Sequence, residues 1–269
     1  MKFGYKRDPI KEDPDFSTKL KPFLVSSKSE SDIDLSGFAT DTDQYDLSSC
    51  AANATADSVE ILNAIDEHNL ASKEDRTPHI LPQLSRLFVY AMARSLMDEN
   101  NDGNADLDKD EGTFIRLCFE VLSRFGICDE EIWPYDISKV FVSPSIKAMR
   151  QAVGHRIHSY YRINQTGADR IPEITASLRA MHPVVFGTLI SNDFMNINGP
   201  SVVDIPKKGT AGGHAMLIVG YLNGFFKIKN SWGRNWRENG YCYMTPSYIS
   251  WENTWDIWVP TSGVIFKRK

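Results

Sequence analysis

Hydrophobic positions recur along this chain with two different periods. Between Ala51 and about Phe125 they fall at helical spacing: Val59, Leu62 and Ile65 share one face, and Leu84, Leu87, Phe88, Ala91 and Met92 share a second. Phe114, Leu117, Cys118, Val121, Leu122 and Phe125 form a third such stripe, with Gly126 placed to end its helix. After Trp133 the apolar residues gather instead in short runs, RIHSYYRI, PVVFGTLI, HAMLIVGYL, FFKIKN and YCYM, set apart by Gly, Asn and Pro turns. The pattern predicts a mostly helical first half and a mostly stranded second half, an α+β chain. The intervening EEIWPYDISKVFVSPS reads as a crossover packed on the body, because its aromatic side chains need burial. No internal repeat or low-complexity tract interrupts the sequence.

Composition narrows the partners. With 269 residues, 42% of them hydrophobic and 24% charged, the chain can bury a sizeable core as one large domain or two lobes. A formal net charge of -5 offers no basic footprint for nucleic acid, and apolar runs such as AMLIVGYL are too short to span a bilayer. The stretch from Met1 to Glu30 lacks the apolar segment of a secretory signal, so the chain is expected in the cytoplasm, or secreted if it is a mature fragment. Pro9, Pro14 and Pro22, interleaved with Phe3, Tyr5, Phe16 and Phe23, predict an extended arm docked on the body, read as a structural brace in preference to a cleft-blocking regulator.

The four cysteines, Cys50, Cys118, Cys128 and Cys242, form no CxxC and no Cys/His pair at metal-ligand spacing, which argues against zinc and against a disulfide framework. Cys118 reads as core. Cys50 is different: DQYDLSSCAANATADSVE passes from a polar loop into a helix-forming run at this residue. In a first turn, free backbone N–H groups and the positive end of the dipole favour a thiolate, although a small buried hydrophobe fits the same place. A base has to come from elsewhere. His68, His79, His155, His158 and His182 sit in polar or mixed surroundings without an accompanying pattern. His214, in GTAGGHAMLIVGYLNG, stands where a Gly-rich loop enters an apolar strand. Asn230 ends the short strand in FFKIKNSWGRNWRENGYCYM, where an antiparallel return would bring its amide to the imidazole and let Trp232 shield the contact from water.

One acidic stretch is a candidate metal loop. In DENNDGNADLDKDE, Asp98, Asn100, Asp102, Gly103 and Asp106 take early positions of a calcium loop, but Lys109 stands at the twelfth position where an EF-hand needs a bidentate Glu. A looser calcium site drawing on Asp108 or Asp110 is the alternative to a solvated acidic insertion.

The ordered motifs DQxxxSSCAANA, GGHAMLIVGY and KNSWGRNWRENGY resemble the papain-like cysteine peptidases of the C1 family, over about Asp34 to Val259. LSRLFVYAMAR, FGICDEEIWPYD, PVVFGT and the closing DIWV are similar to segments of the family's prokaryotic branch. The resemblance implies a two-lobed α+β fold: an N-terminal extension over 1–33, a helical lobe with the nucleophile over 34–140, and an antiparallel β-barrel-like lobe with His and Asn over 141–269. Peptides would bind in the cleft between the lobes. It implies Cys50 as nucleophile, His214 as general base and acid, Asn230 as the orienting residue, and Gln44 as oxyanion donor together with the Cys50 N–H. Ser49, Gly112, Thr113, Gly213 and Trp232 are the implied cleft residues. Peptide hydrolysis through a thioester follows, by a monomer needing no cofactor beyond a structural calcium at most, and with the thiol pKa lowered to roughly 3–4 as in papain. A catalytically silent peptide-binding protein and an acyl or glutamine transferase are the alternatives. Leu47 replaces a disulfide cysteine of the common pattern, Ala51 a Trp, and Tyr45 and Ser48 replace glycines, so Tyr45 is expected to crowd Gln44. KDEGTFIR stands in place of a Gly- and Cys-rich segment.

Overall fold

The computed structural model describes residues 2–9, 32–97 and 107–263. Strand β1 (Ile33–Asp34) precedes the long helix α1 (Cys50–Lys73), followed by α2 (Arg86–Ser95) and α3 (Ile115–Arg124). Helix α4 (Ile146–Ala152) leads to β2 (Tyr160–Ile163), α5 (Arg170–Arg179), β3 (Val184–Ile190) and β4 (Val202–Val203). Then come β5 (Gly212–Leu222), β6 (Phe225–Lys229), β7 (Tyr241–Met244), α6 (Pro246–Ser250) and β8 (Thr254–Pro260). The strands make one sheet in the order β2-β8-β3-β5-β6-β7-β4, with β1 added to β5, antiparallel except at the β4–β7 pair. The α+β expectation therefore holds, with two refinements. Three helices, α4, α5 and α6, lie in the half read as stranded, and Ile33–Asp34 pairs with Gly220 and Tyr221 of the sheet although it falls at the predicted edge of the helical lobe.

Helix α1 organises the core. Ala51, Ala52, Ala54 and Ala56 give it strong helix propensity and a thin profile, so it is buried around most of its circumference and packs against β5. That position also buries polar residues, each of which needs a partner. Glu60 accepts from Leu84 N at 2.6 Å and from Thr40 Oγ1 at 2.6 Å, while burial, with Asp57 nearby, pushes its pKa up to about 7. Asp57 is ion-paired with Lys229 of β6, and Lys229 Nζ also donates to Thr42 Oγ1 at 2.6 Å. In α2, the Ser85 hydroxyl accepts from Phe88 N and caps the helix. Gly126, at φ +83, ends α3 as expected, its N–H reaching Val121 O at 2.9 Å.

All four cysteines are buried and unpaired, Cys118 within the core. In the crossover Trp133 is buried as expected, whereas Phe141 and Val142 are exposed. Among the described residues no helix is long and apolar enough to cross a membrane.

The Asp57–Lys229 pair is buried on both sides. Lys229→Met leaves Asp57 as an uncompensated buried charge and is expected to cost about 3–5 kcal/mol in urea unfolding. Asp57→Leu combined with Lys229→Met is expected to recover most of that loss. A double variant no more stable than the single one would contradict the pairing.

Candidate active site

Helix α1 begins at Cys50 itself, with Ser49 at the cap position. Antiparallel pairing of β5 with β6 sets Leu217 opposite Lys229, so extending the register puts Asn230 opposite Met216, on the same face as His214. His214 Nε2 lies 2.8 Å from Asn230 Oδ1, which also accepts from Ser231 N at 2.8 Å. An amide oxygen only accepts, so Nε2 carries the proton and Nδ1 keeps the lone pair. Nδ1 is buried and has no hydrogen-bond partner among the described residues. On the thiol side, Ala215 N, next in chain to His214, donates to Cys50 Sγ at 3.5 Å. The Trp232 indole stacks on the imidazole with centroids 4.7 Å apart and planes at 27°. Cys50, His214, Asn230 and Trp232 therefore converge.

Gln44 joins them through a tied loop. Its N–H donates to Ser231 O at 2.8 Å, its Oε1 accepts from Ser231 Oγ at 2.6 Å, and its Nε2 donates to Leu47 O at 2.8 Å. Tyr135 Oη reaches Gln44 O at 3.1 Å and the Ser49 hydroxyl. Ser49, predicted in the cleft, instead turns its hydroxyl toward Tyr135 and Asn53. Tyr45 does not crowd Gln44 as expected: at φ 49 it takes the left-handed conformation that suits a glycine, and its side chain is 55% exposed beside Tyr135. Ser231 and Tyr135 went unread in the sequence, since hydroxyls at no fixed spacing give no local signal, and Asp110 was read only as a candidate calcium ligand. Asp110, proposed as a calcium ligand, accepts from Ser48 N at 2.9 Å and Tyr90 Oη at 2.7 Å and pairs with Lys2. The other loop ligands, Asp98, Asn100, Asp102 and Asp106, lie outside the described residues.

The arm is where the structure departs most from expectation. Residues 2–9, read as a structural brace docked on the body, instead run past Cys50 and Gln44. Gln44 Nε2 donates to Lys2 O at 3.2 Å, the Gly4 backbone lies near Cys50 where its N–H favours the thiolate, and Thr113 N donates to Gly4 O at 2.9 Å. Lys6 N donates to Thr113 O at 3.2 Å, completing a parallel bridge between Tyr5 and Thr113, so Gly112 and Thr113 form the wall on which the arm is laid. The fit needs glycine: a Cβ on Gly4 would stand 1.6 Å from Ser48 O, and one on Gly112 2.0 Å from Gly4 O. Cys50 thus lies under the backbone of Gly4, whose Cβ position is blocked by Ser48 O. Beneath this cover both groups are uncharged at neutral pH: burial pushes the Cys50 thiol up to about 11 and His214 down to about 4. The lowered thiol pKa expected from the helix start is therefore absent in this closed arrangement, because desolvation outweighs the backbone donors around the sulfur.

The family model described as Papain family cysteine protease matches residues 96–255, more than half of the chain, including His214 and Asn230. The chain belongs to the papain family of cysteine proteases. It is 35% identical over 231 residues to an uncharacterized peptidase C1-like protein of Acanthamoeba polyphaga mimivirus, covering 82% of this chain and 69% of the viral protein. Its structure is similar to that of xylellain, a cysteine protease from Xylella fastidiosa, with a TM-score of 0.72 and 28% identity over 97% of this chain and 96% of that one. The bromelain protease from Ananas comosus shares the fold at a TM-score of 0.63 and 23% identity, over 87% of this chain and 100% of its own. A Blomia tropicalis cysteine protease is 24% identical over 137 residues, 49% of this chain and 39% of its own length. Likeness within the papain family thus reaches a bacterial and a viral protein.

Displacing the arm should expose the thiol. Gly4→Val cannot seat beside Ser48, so iodoacetamide is expected to alkylate Cys50 faster in this variant by at least about tenfold at pH 7, read by peptide mapping against Cys118, Cys128 and Cys242. In the unaltered chain the rate should climb about tenfold per pH unit from 7 to 9, as thiolate forms below a raised pKa. Equal rates for the two proteins would remove the arm from the cleft.

Proposed function

We propose that this chain hydrolyses peptide bonds with Cys50 as nucleophile, His214 as general base and acid, and Asn230 holding the imidazole, and that residues 2–9 keep the site latent until they are displaced. The observation carrying this reading is the 2.8 Å His214–Asn230 contact, which leaves the Nδ1 lone pair as the free base beside the strand residue that touches Cys50 Sγ. Peptides and proteins are the substrates that the family affiliation supports.

With the arm gone, water and substrate reach the pair, the burial that keeps both groups neutral is relieved, and the Cys50 proton passes to His214 Nδ1. Asn suits the third place because a neutral amide orients the ring without opposing the imidazolium. Sγ then bonds to the substrate carbonyl carbon, and the carbonyl oxygen takes the negative charge at the donor position that Gln44 Nε2 now gives to Lys2 O. The C–N bond breaks as His214 returns its proton to the departing amine, leaving a thioester. Water adds to the thioester, His214 taking its proton, and the carboxylic acid product leaves as the thiol is restored. Every proton in this sequence is carried by Cys50, His214 or water.

A diverse peptide library digested by the Gly4→Val chain and read by mass spectrometry tests the proposal. Cleavage is expected to yield acids, not amine-exchanged products, and to be insensitive to a chelator. Cys50→Ala and His214→Ala should abolish it, Asn230→Ala should cost less, and Gln44→Ala about 10²–10³ in kcat. Binding of peptides without cleavage by any form carrying Cys50 would make the chain a silent binding protein instead, and exchanged products would make it a transferase.

A further inference from the structure

We propose that the pocket behind the arm, walled by Gly187 and Gly213 and floored by the carboxylate of Asp256, selects the substrate and takes a tyrosine side chain in preference to phenylalanine or a basic residue. The inference rests on the hydrolytic reading only in assigning the cleft to substrate.

The pocket is built, not incidental. Tyr5 fills it: a Cβ on Gly187 would fall 2.1 Å from the ring Cζ, and one on Gly213 3.0 Å from Cδ1. Both glycines lie in β-strands at ordinary backbone angles, so their missing side chains serve room, not conformation. Between β3 and β8 the register slips from Val185↔Trp258 to Gly187↔Trp255, so Asp256 and Ile257 together oppose Phe186. That bulge holds Asp256 at φ 49 and re-aims its side chain inward, where it is 3% exposed.

The donors around the carboxylate decide what fits. Asp256 Oδ1 takes Arg162 Nη2 at 2.7 Å, which balances the charge and leaves little to draw a second cation. Asp256 Oδ2 accepts from the Tyr5 hydroxyl and from Asp8 N at 2.8 Å. Both of those donors belong to the arm and leave with it. An incoming tyrosine refills the glycine-lined space and restores the lost donor. Phenylalanine fills the same space but buries Oδ2 without a partner, the situation in which a hydrogen-bonding site rejects an isostere most strongly. A lysine or arginine brings its charge against Arg162. Because Gly4 meets Cys50 Sγ, Tyr5 marks the position next to the residue at the nucleophile.

Two measurements on the full chain test this. First, Tyr5→Phe should loosen the arm, raising the rate of Cys50 alkylation at pH 7 at least several-fold over the unaltered chain; an unchanged rate counts against the Asp256 contact. Second, the Cys50→Ala, Gly4→Val chain is titrated with Ala/Gly hexapeptides carrying one Tyr, Phe or Lys at each position in turn. At a single position Tyr is expected to bind about tenfold or more tighter than Phe and than Lys. Asp256→Asn should shrink the Tyr-over-Phe ratio, and Gly187→Val should abolish the advantage of any large side chain at that position. Equal affinity for Tyr and Phe, tighter binding of Lys, or binding of none of the peptides overturns the proposal. Because affinity is read without turnover, a chain that binds Tyr selectively but cleaves nothing when Cys50 is present would sink the hydrolase reading and leave the pocket assignment standing.

Discussion

The buried ammonium of Lys229 joins the two parts of this molecule on which everything at the site depends. It sits between Asp57 of α1 and Thr42 of the loop before it, and it is the last residue of β6, immediately before Asn230. The helix that begins with Cys50 and the strand that delivers Asn230 are thus held by one charge that cannot leave without stranding Asp57. Thr42 Oγ1 donates to Asp57 Oδ2 at 2.9 Å and so closes the triangle. Two residues further along the same loop, Gln44 is tied to Ser231, which follows Asn230. Cys50, Asn230 and Gln44 are consequently referred to one another through a short set of polar contacts in a low-dielectric core, where such contacts are at their strongest and their loss is most costly.

Burial then sets the state of the site. A thiol and an imidazole placed together favour the ion pair when water and opposite charge stabilise it, but under the arm each loses hydration and stays neutral. The arm achieves this with backbone alone at the centre, Gly4 against Sγ and Ser48, and uses side chains at its two flanks. Lys2 reaches Asp110 on one side, while Tyr5 and Asp8 reach Asp256 and Arg116 on the other. A backbone N–H beside the sulfur covers it without offering a carbonyl carbon to attack.

Departures from the family's common pattern find local explanations. Tyr45 keeps the left-handed backbone of the glycine it replaces and sends its ring outward to Tyr135, so the loop's path survives the change. Ser48, the other replaced glycine, is anchored to Asp110 through both its N–H and its hydroxyl, and Asp110 belongs to the KDEGTFIR segment that forms the wall with Gly112 and Thr113. A disulfide that Leu47 makes impossible is thereby replaced by hydrogen bonds and an apolar contact, Leu47 being part of the core.

Helix and strand periods, the order of the Cys, His and Asn motifs and the spacing of Gln44 to Cys50 were legible because each depends on neighbours in the chain: repeats of 3.6 and 2, a helix start, a Gly-rich strand entry. The same locality made β8, α4, α5 and α6 hard to read, since these short elements owe their existence to the sheet and core they pack on more than to their own pattern. Asp256 was invisible for a related reason, because only the slipped pairing of β8 on β3 turns it inward. The arm shows the division most clearly. Phe3, Tyr5 and Pro9 belong to the part of it that is described, which is docked as expected, while Pro14, Phe16, Pro22 and Phe23 lie outside the described residues; where it docked depended on which groove had no side chains in the way. Glycines at 4, 112, 187 and 213, distant in sequence, supply that groove together, and the charge of Cys50 and His214 follows from its being filled. Chemistry written in residue types is local and can be read along the chain, whereas desolvation is a sum over everything that comes near in space, and only the folded molecule carries it out.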